Sequence, residues 1–256
     1  MSTPPDDLTL AVVAALWGAA TGALLPRAAY RFATPWEEAD GAWRTDCPAG
    51  HPLRGWLGRA RCARCAGPAE PGFPARYAPG GVRLPVVTAA VCAALALATG
   101  LRPELAVWLV LAPVGVLLAA VDLRVHRLPD PLTLPLAAVA PALLGCAALL
   151  PEHAGRWTTA LLGAPALGAC YLVLHLVNPG GMAFGDVKLA LGAGAVLGWY
   201  GRSTVVLGTF AAFLSGALYA GVLVVAGRAG RKTAVPFGPF MLAGTLAGLL
   251  MGAYAA

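Results

Sequence analysis

Charge is what this sequence lacks. Asp, Glu, Lys and Arg make up 12% of its 256 residues, about half the share in a soluble domain. Hydrophobic residues make up 59%, and the mean hydropathy is +0.72. Together these values exclude an ordinary soluble domain and point to a membrane protein. Several catalytic devices are missing too. There is no His-Glu-x-x-His, and no glycine loop ending in Gly-Lys-Ser/Thr to cradle a phosphate. Ser203 and Ser215 lack a His–Asp partner pattern, and His126, His153 and His175 are isolated. The first apolar run, Leu8 to Leu25, follows Asp6 and Asp7 rather than a basic region. It therefore reads as a helix that stays in the membrane, not as a cleaved signal peptide. No long repeat or low-complexity tail is present.

What is there is a series of apolar runs. A spanning helix needs about 20 mostly apolar residues. Eight runs qualify or nearly so, at 8–25, 83–100, 105–121, 131–150, 157–177, 187–200, 203–226 and 236–254. The sixth is short, Gly-rich and directly preceded by an acid. The predicted fold is all-α, a polytopic membrane bundle of about eight helices. Closely spaced Gly and Ala permit near approach of backbones, and the intermittent prolines are tolerable where neighbours satisfy the freed carbonyls. With the N-terminus outside, the inward side takes 15 of the 18 Lys and Arg, counting Arg83 at its boundary. Only Arg102, Arg156 and Arg202 fall outward. This asymmetry sets the orientation, and it explains the net charge of +6 without a nucleic-acid partner. The segments are then a first helix (1–25), a cytoplasmic Cys-containing loop (26–82) and a membrane core (83–256). The loop is too small for a large apolar core and needs a staple.

The 12 acids sort by position. Asp6, Asp7, Glu104 and Glu152 fall outward, and Glu37, Glu38, Asp40, Asp46 and Glu70 lie in the large loop. Asp122, Asp130 and Asp186 remain at the inward ends of helices, where an ionisable group is either a functional candidate or an interfacial cap. Asp122 closes an apolar helix, an unfavourable end for an anion. Asp186 opens one, where capping alone would account for it. Asp130, between Pro129 and Pro131, reads as a turn or cap residue. Two carboxylates brought together cannot both ionise cheaply, so such a pair shares a proton. The pair can activate water while its protonated member hydrogen-bonds a peptide carbonyl, with no metal required.

Three stretches carry a resemblance. They are Val121-Asp122-Leu123 through Leu134-Pro135, then Gly181-Met182-Ala183-Phe184-Gly185-Asp186-Val187-Lys188-Leu189, and Val235-Pro236-Phe237-Gly238-Pro239-Phe240. In this order, over about residues 83–256, they resemble the two aspartate motifs and the C-terminal signature of the prepilin leader peptidases. The resemblance implies a multi-pass intramembrane aspartic peptidase of the bacterial inner membrane that cuts the leader from type IV pilin-like precursors. Asp122 and Asp186 would be its catalytic pair. Gly181 and Gly185 would let the chain approach the pair closely, and Lys188 would orient Asp186 or meet lipid headgroups. Ala183 stands where the family has Gly and restricts the backbone there.

The resemblance is weaker before residue 83. Members that also methylate the new N-terminus carry two Cys-x-x-Cys pairs in a cytoplasmic domain. Here Cys62-Ala63-Arg64-Cys65 is intact, but the first pair reads Cys47-Pro48-Ala49-Gly50-His51. Cys47, His51, Cys62 and Cys65 form either a Cys₃His zinc site or a set of reduced thiols, since a disulfide does not suit that compartment. The Glu expected after an Arg-Tyr-Pro stretch is absent from Arg76-Tyr77-Ala78-Pro79-Gly80-Gly81. The family's Asn-containing pattern after the first helix reads Gly22-Ala23-Leu24-Leu25-Pro26. These losses count against methyl transfer and against S-adenosylmethionine as a cofactor. Cys92, Cys146 and Cys170 read as packing residues. Two further readings stay open: a transporter whose inward acids bind cations, and a non-catalytic scaffold of a secretion machine. The sequence leaves the oligomeric state open.

Overall fold

The computed structural model describes residues 7–34, 43–66, 76–78, 81–228 and 235–256. Asp6, Glu37, Glu38, Asp40, Glu70, Pro79, Gly80, Arg231 and Lys232 lie outside the described residues. Among those described, every predicted apolar run is a helix: α1 (Asp7–Gly22), α3 (Arg83–Thr99), α4 (Pro103–Val125), α5 (Asp130–Ala147), α6 (Trp157–Val177), α7 (Phe184–Trp199), α8 (Arg202–Val225) and α9 (Gly238–Ala255). One helix is additional. The run 8–25 breaks after Gly22, and α2 (Leu25–Phe32) restarts with Pro26 in its first turn, where the missing N–H costs nothing. Six segments are long and apolar enough to cross a membrane: Asp7–Phe32, α4, α5, α6, α8 and α9. The helices α3 and α7, with 17 and 16 residues, are shorter. The chain is a polytopic helical membrane bundle.

Helices in lipid gain little from apolar burial, so close backbone approach has to hold them. A Cβ at Gly18 of α1 would lie 2.5 Å from the Thr88 carbonyl oxygen of α3, and one at Gly22 would lie 2.8 Å from Pro85 Cα. Gly163 of α6 faces Gly194 of α7, and Gly208 of α8 faces Gly244 of α9, so closely that no side chain fits in either place. Pro113 interrupts α4 and leaves the Leu109 carbonyl without its helical donor. The Trp17 indole N–H donates to that oxygen at 2.9 Å, the kind of repair the prolines require.

The loop is pinned to one end of this bundle. Its small core joins Tyr30 and Tyr77 to Cys47, Ala60, Cys62 and Cys65. Arg27 of α2 donates to the carbonyls of Arg54 and Arg59, and Arg31 donates to that of Gly55. At the other end of the bundle Glu104, assigned by sequence only to the outward side, is completely buried in the first turn of α4. Its Oε1 accepts the Ala154 N–H and the Tyr200 hydroxyl.

Candidate active site

Asp122 sits in the last turn of α4, whose C-cap His126 takes a left-handed conformation with φ 51°. Its position at the negative end of a helix is compensated from outside. The Gly238 backbone N–H, at the positive end of α9, donates to Asp122 Oδ2 at 3.0 Å. A Cβ at position 238 would stand 2.7 Å from that oxygen, so this approach admits only glycine. Asp186 occupies the third position of α7. Its backbone N–H donates to the Ala183 carbonyl, and its Oδ2 accepts the Ala183 N–H at 3.2 Å. The capping role expected from sequence is therefore present.

Capping does not use up Asp186. Both aspartates are 4% exposed, and both line one cavity of about 480 Å³ together with His126, Leu128, Met182 and Phe237. Each carboxyl commits Oδ2 to a single backbone N–H, which orients the side chain. All three sequence motifs meet at this cavity: the end of α4, the start of α7 and the start of α9.

The surroundings explain the neighbouring residues. A Cβ at Gly185 would come within 3.0 Å of Leu128 Cβ, and one at Gly181 would run into the Asn178 amide. His175, isolated in sequence, has Nδ1 2.8 Å from the Met182 carbonyl oxygen and holds the turn between α6 and α7. His126 borders the cavity. Lys188, expected to orient Asp186 or to meet lipid headgroups, pairs with Asp130. Its Nζ lies 2.6 Å from Asp130 Oδ1 and 5.0 Å from the Phe184 ring centroid, so it joins the starts of α5 and α7 rather than orienting Asp186. Asp130 is thus an ion-pair partner as well as the first residue of α5. Neither the Gly238 contact nor the Lys188–Asp130 pair has a local sequence signal, since each joins residues far apart in the chain.

A second cluster lies in the loop. One ligand atom each from Cys47, His51, Cys62 and Cys65 falls within 4.8 Å of the others, a group that could hold a metal ion. His51 Nδ1 is 3.6, 3.6 and 3.4 Å from the sulfurs of Cys47, Cys62 and Cys65, and Cys47 Sγ is 3.8 Å from Cys65 Sγ. Tetrahedral zinc with ordinary Zn–S and Zn–N bonds has S···S edges of about 3.8 Å and S···N edges of about 3.6 Å. The Cys65 backbone N–H helps to draw the Cys62 thiol down to about 6, while burial pushes Cys65 up to about 12. Three thiols and an imidazole at these separations suit a divalent cation.

Comparison with known proteins bears on the cavity. The model of the type IV leader peptidase family matches residues 109–221. Three relatives are named prepilin leader peptidase/N-methyltransferase. That of Burkholderia pseudomallei (strain 1026b) is 33% identical over 234 residues, covering 82% of this chain and 67% of the relative. That of Aeromonas hydrophila is 34% identical over 216 residues, covering 78% and 66%. That of Bacillus subtilis (strain 168) is 30% identical over 170 residues, covering 65% and 64%. The chain thus spans about two thirds of the length of these relatives. No solved structure matches it.

Proposed function

The chain belongs to the type IV leader peptidase family, and from that premise we propose that it is an aspartic endopeptidase. Its substrates are type IV prepilin-like precursors, and it cuts their leader at the cytoplasmic face of the inner membrane. The observation that carries this reading is the meeting of Asp122 and Asp186, from separate helices, at one cavity. With Oδ2 of each held by a backbone N–H, the remaining carboxyl oxygens are left for water and substrate. The ionised member removes a proton from water, and the oxygen attacks the scissile carbonyl carbon. The protonated member gives its proton to the carbonyl oxygen. The tetrahedral intermediate then collapses, the C–N bond breaks, and the departing amine takes a proton from the dyad. Residues 83–256 form the peptidase core in this reading. The basic side chains, 15 of 18 on the dyad's side, support a cytoplasmic site with the N-terminus outside.

The test is co-expression with a pilin precursor from the same genome, followed by mass measurement of the product's N-terminus. Asp122→Asn and Asp186→Asn are each expected to abolish cleavage while the proteins still insert and accumulate, with no further loss in the double variant, because the pair acts as a unit. Robust processing by either variant would leave the transporter or scaffold readings standing.

The loop cluster we assign to structural zinc, held by Cys47, His51, Cys62 and Cys65. Bound there, the ion would supply the folding energy that a small apolar core lacks. The relatives' names also include N-methyltransferase activity. In this chain His51 occupies the first cysteine pair, and Arg76-Tyr77 is not followed by the expected Glu. The reading therefore ends at cleavage, and a methyl group on the mature N-terminus would refute that limit.

A further inference from the structure

We propose that the turn 54–59 is a membrane-interface anchor. In this reading Trp56 and Leu57 enter the headgroup layer, and Arg54 and Arg59 take the phosphates of anionic phospholipids. The inference rests on the multi-pass placement of the helices and not on the peptidase reading.

The turn, Arg54-Gly55-Trp56-Leu57-Gly58-Arg59, displays what a small polar loop ordinarily hides. Leu57 is 58% exposed, and Trp56 and nearby Trp43 are exposed as well. The conformation is constructed for that display. Gly55 and Gly58 take φ values of 76° and 117°, which L side chains rarely adopt, and they push the two apolar residues out as a tip. Around the tip the backbone is fastened. Arg27 Nη1 donates to the Arg54 carbonyl at 2.8 Å, Arg27 Nη2 to that of Arg59 at 3.3 Å, and Arg31 Nη1 to that of Gly55 at 2.8 Å. The Arg27 N–H donates to the Gly58 carbonyl, and the Gly58 N–H donates to that of Leu24 at 2.7 Å. Phe32 stacks on the Trp56 ring at 5.0 Å, and the Arg31 guanidinium lies 4.0 Å over it. A rigid turn that presents apolar groups outward is built to contact something.

Its depth identifies the partner. Gly22 of α1 packs against Leu84 and Pro85 in the first turn of α3. Leu24, two residues on and 44% exposed, is therefore level with the end of an apolar helix, at the bilayer boundary. The tip hangs from Leu24 by the Gly58 bond. Tryptophan collects at that level, and an apolar tip among basic residues is the composition of a segment that lies in the interface. The charge agrees. Arg54, Arg59, Arg61 and Arg64 are exposed, whereas the one described acid in 43–66, Asp46, accepts the Thr45 hydroxyl. Such a cluster next to membrane helices favours anionic headgroups. The anchor would hold the Cys/His cluster against the bilayer.

The full chain would be reconstituted into phosphatidylcholine vesicles with or without phosphatidylglycerol, carrying the photocrosslinker p-benzoylphenylalanine at position 57 or, as reference, at exposed position 48. Phospholipid adducts are expected at 57 and not at 48. Their yield should rise with phosphatidylglycerol by roughly five-fold per arginine, and Arg54→Gln/Arg59→Gln should erase the rise. Those substitutions leave the clamp intact, since it uses only the carbonyls of these residues. In the unmodified chain, phosphatidylglycerol should slow trypsin cleavage after Arg54 and Arg59 relative to detergent. Adducts at 57 no more abundant than at 48, or a phosphatidylglycerol response that survives the double substitution, would overturn the proposal. So would trypsin cleavage that phosphatidylglycerol does not slow.

Discussion

Gly238 and Asp122 are 116 residues apart, and their contact leaves no room for a side chain at 238. Gly238→Ala adds one methyl group 2.7 Å from Asp122 Oδ2. Either the carboxyl or the start of α9 must move, and a displacement near 1 Å in a catalytic group costs on the order of 100-fold in rate. We expect that loss in the single-turnover rate of precursor cleavage, with normal accumulation of the protein; an unchanged rate would show that Gly238 does not set the carboxyl. Lys188 and Asp130 should behave oppositely. Their 2.6 Å pair is partly exposed, and pairs of that kind contribute at most about 1 kcal/mol. Lys188→Gln and Asp130→Asn should each leave most of the activity, and the double variant should cost no more than either single one. A collapse of cleavage in Lys188→Gln alone would give the lysine a role at the dyad. At this scale the sequence carried identity but not geometry. Position left three candidate acids, Asp122, Asp130 and Asp186, and the motif resemblance picked Asp122 and Asp186 from them. The N–H that orients Asp122 belongs to a distant helix, and no local pattern encodes it.

The helices themselves were legible because lipid demands long apolar runs, and these survive as helices with ends shifted by a few residues. The break between α1 and α2 was not legible, since the run 8–25 continues through it and only Gly22 and Pro26 mark the restart. The burial of Glu104 was equally hidden. It is next to Pro103 at a helix start, the ordinary place for an exposed acid, yet its carboxylate is closed in by Ala154 and Tyr200. Helix α4 depends on outside help at Pro113. With Trp17→Phe the Leu109 carbonyl loses its donor in an apolar setting, at a cost of roughly 1 kcal/mol, visible as a lower melting temperature in detergent. Pro113→Ala restores an N–H to α4 itself, so in that background Trp17→Phe should be nearly neutral. Equal losses in both backgrounds would show that Trp17 acts through packing and not through its indole N–H.

In the whole molecule the two clusters of reactive groups are separate. Among the described residues the aspartate cavity is lined by those of the Asp122–Leu128, Pro179–Asp186, Gly216 and Val235–Phe240 regions, and none of the described loop residues lines it. The Cys/His cluster lies among Tyr30, Ala60 and Tyr77 and reaches the bundle mainly through α2. Cleavage and metal should therefore be separable. Cys62→Ser/Cys65→Ser removes two of four ligands, and elemental analysis of the purified chain should fall from one zinc per molecule to near none. Without the ion the loop has little apolar core to hold it, so protease cuts within 43–66 should appear early. Helix α2 limits how far the damage spreads. Leu25, Ala28 and Phe32 share a buried cluster with Leu117 and Val121 of α4, and Val121 immediately precedes Asp122 in the chain; that cluster is apolar and independent of the metal. Precursor cleavage should persist within several-fold of the parent rate. If the zinc-free chain keeps its dyad and membrane insertion but loses cleavage altogether, the loop is part of the catalytic unit, and the peptidase core is larger than 83–256.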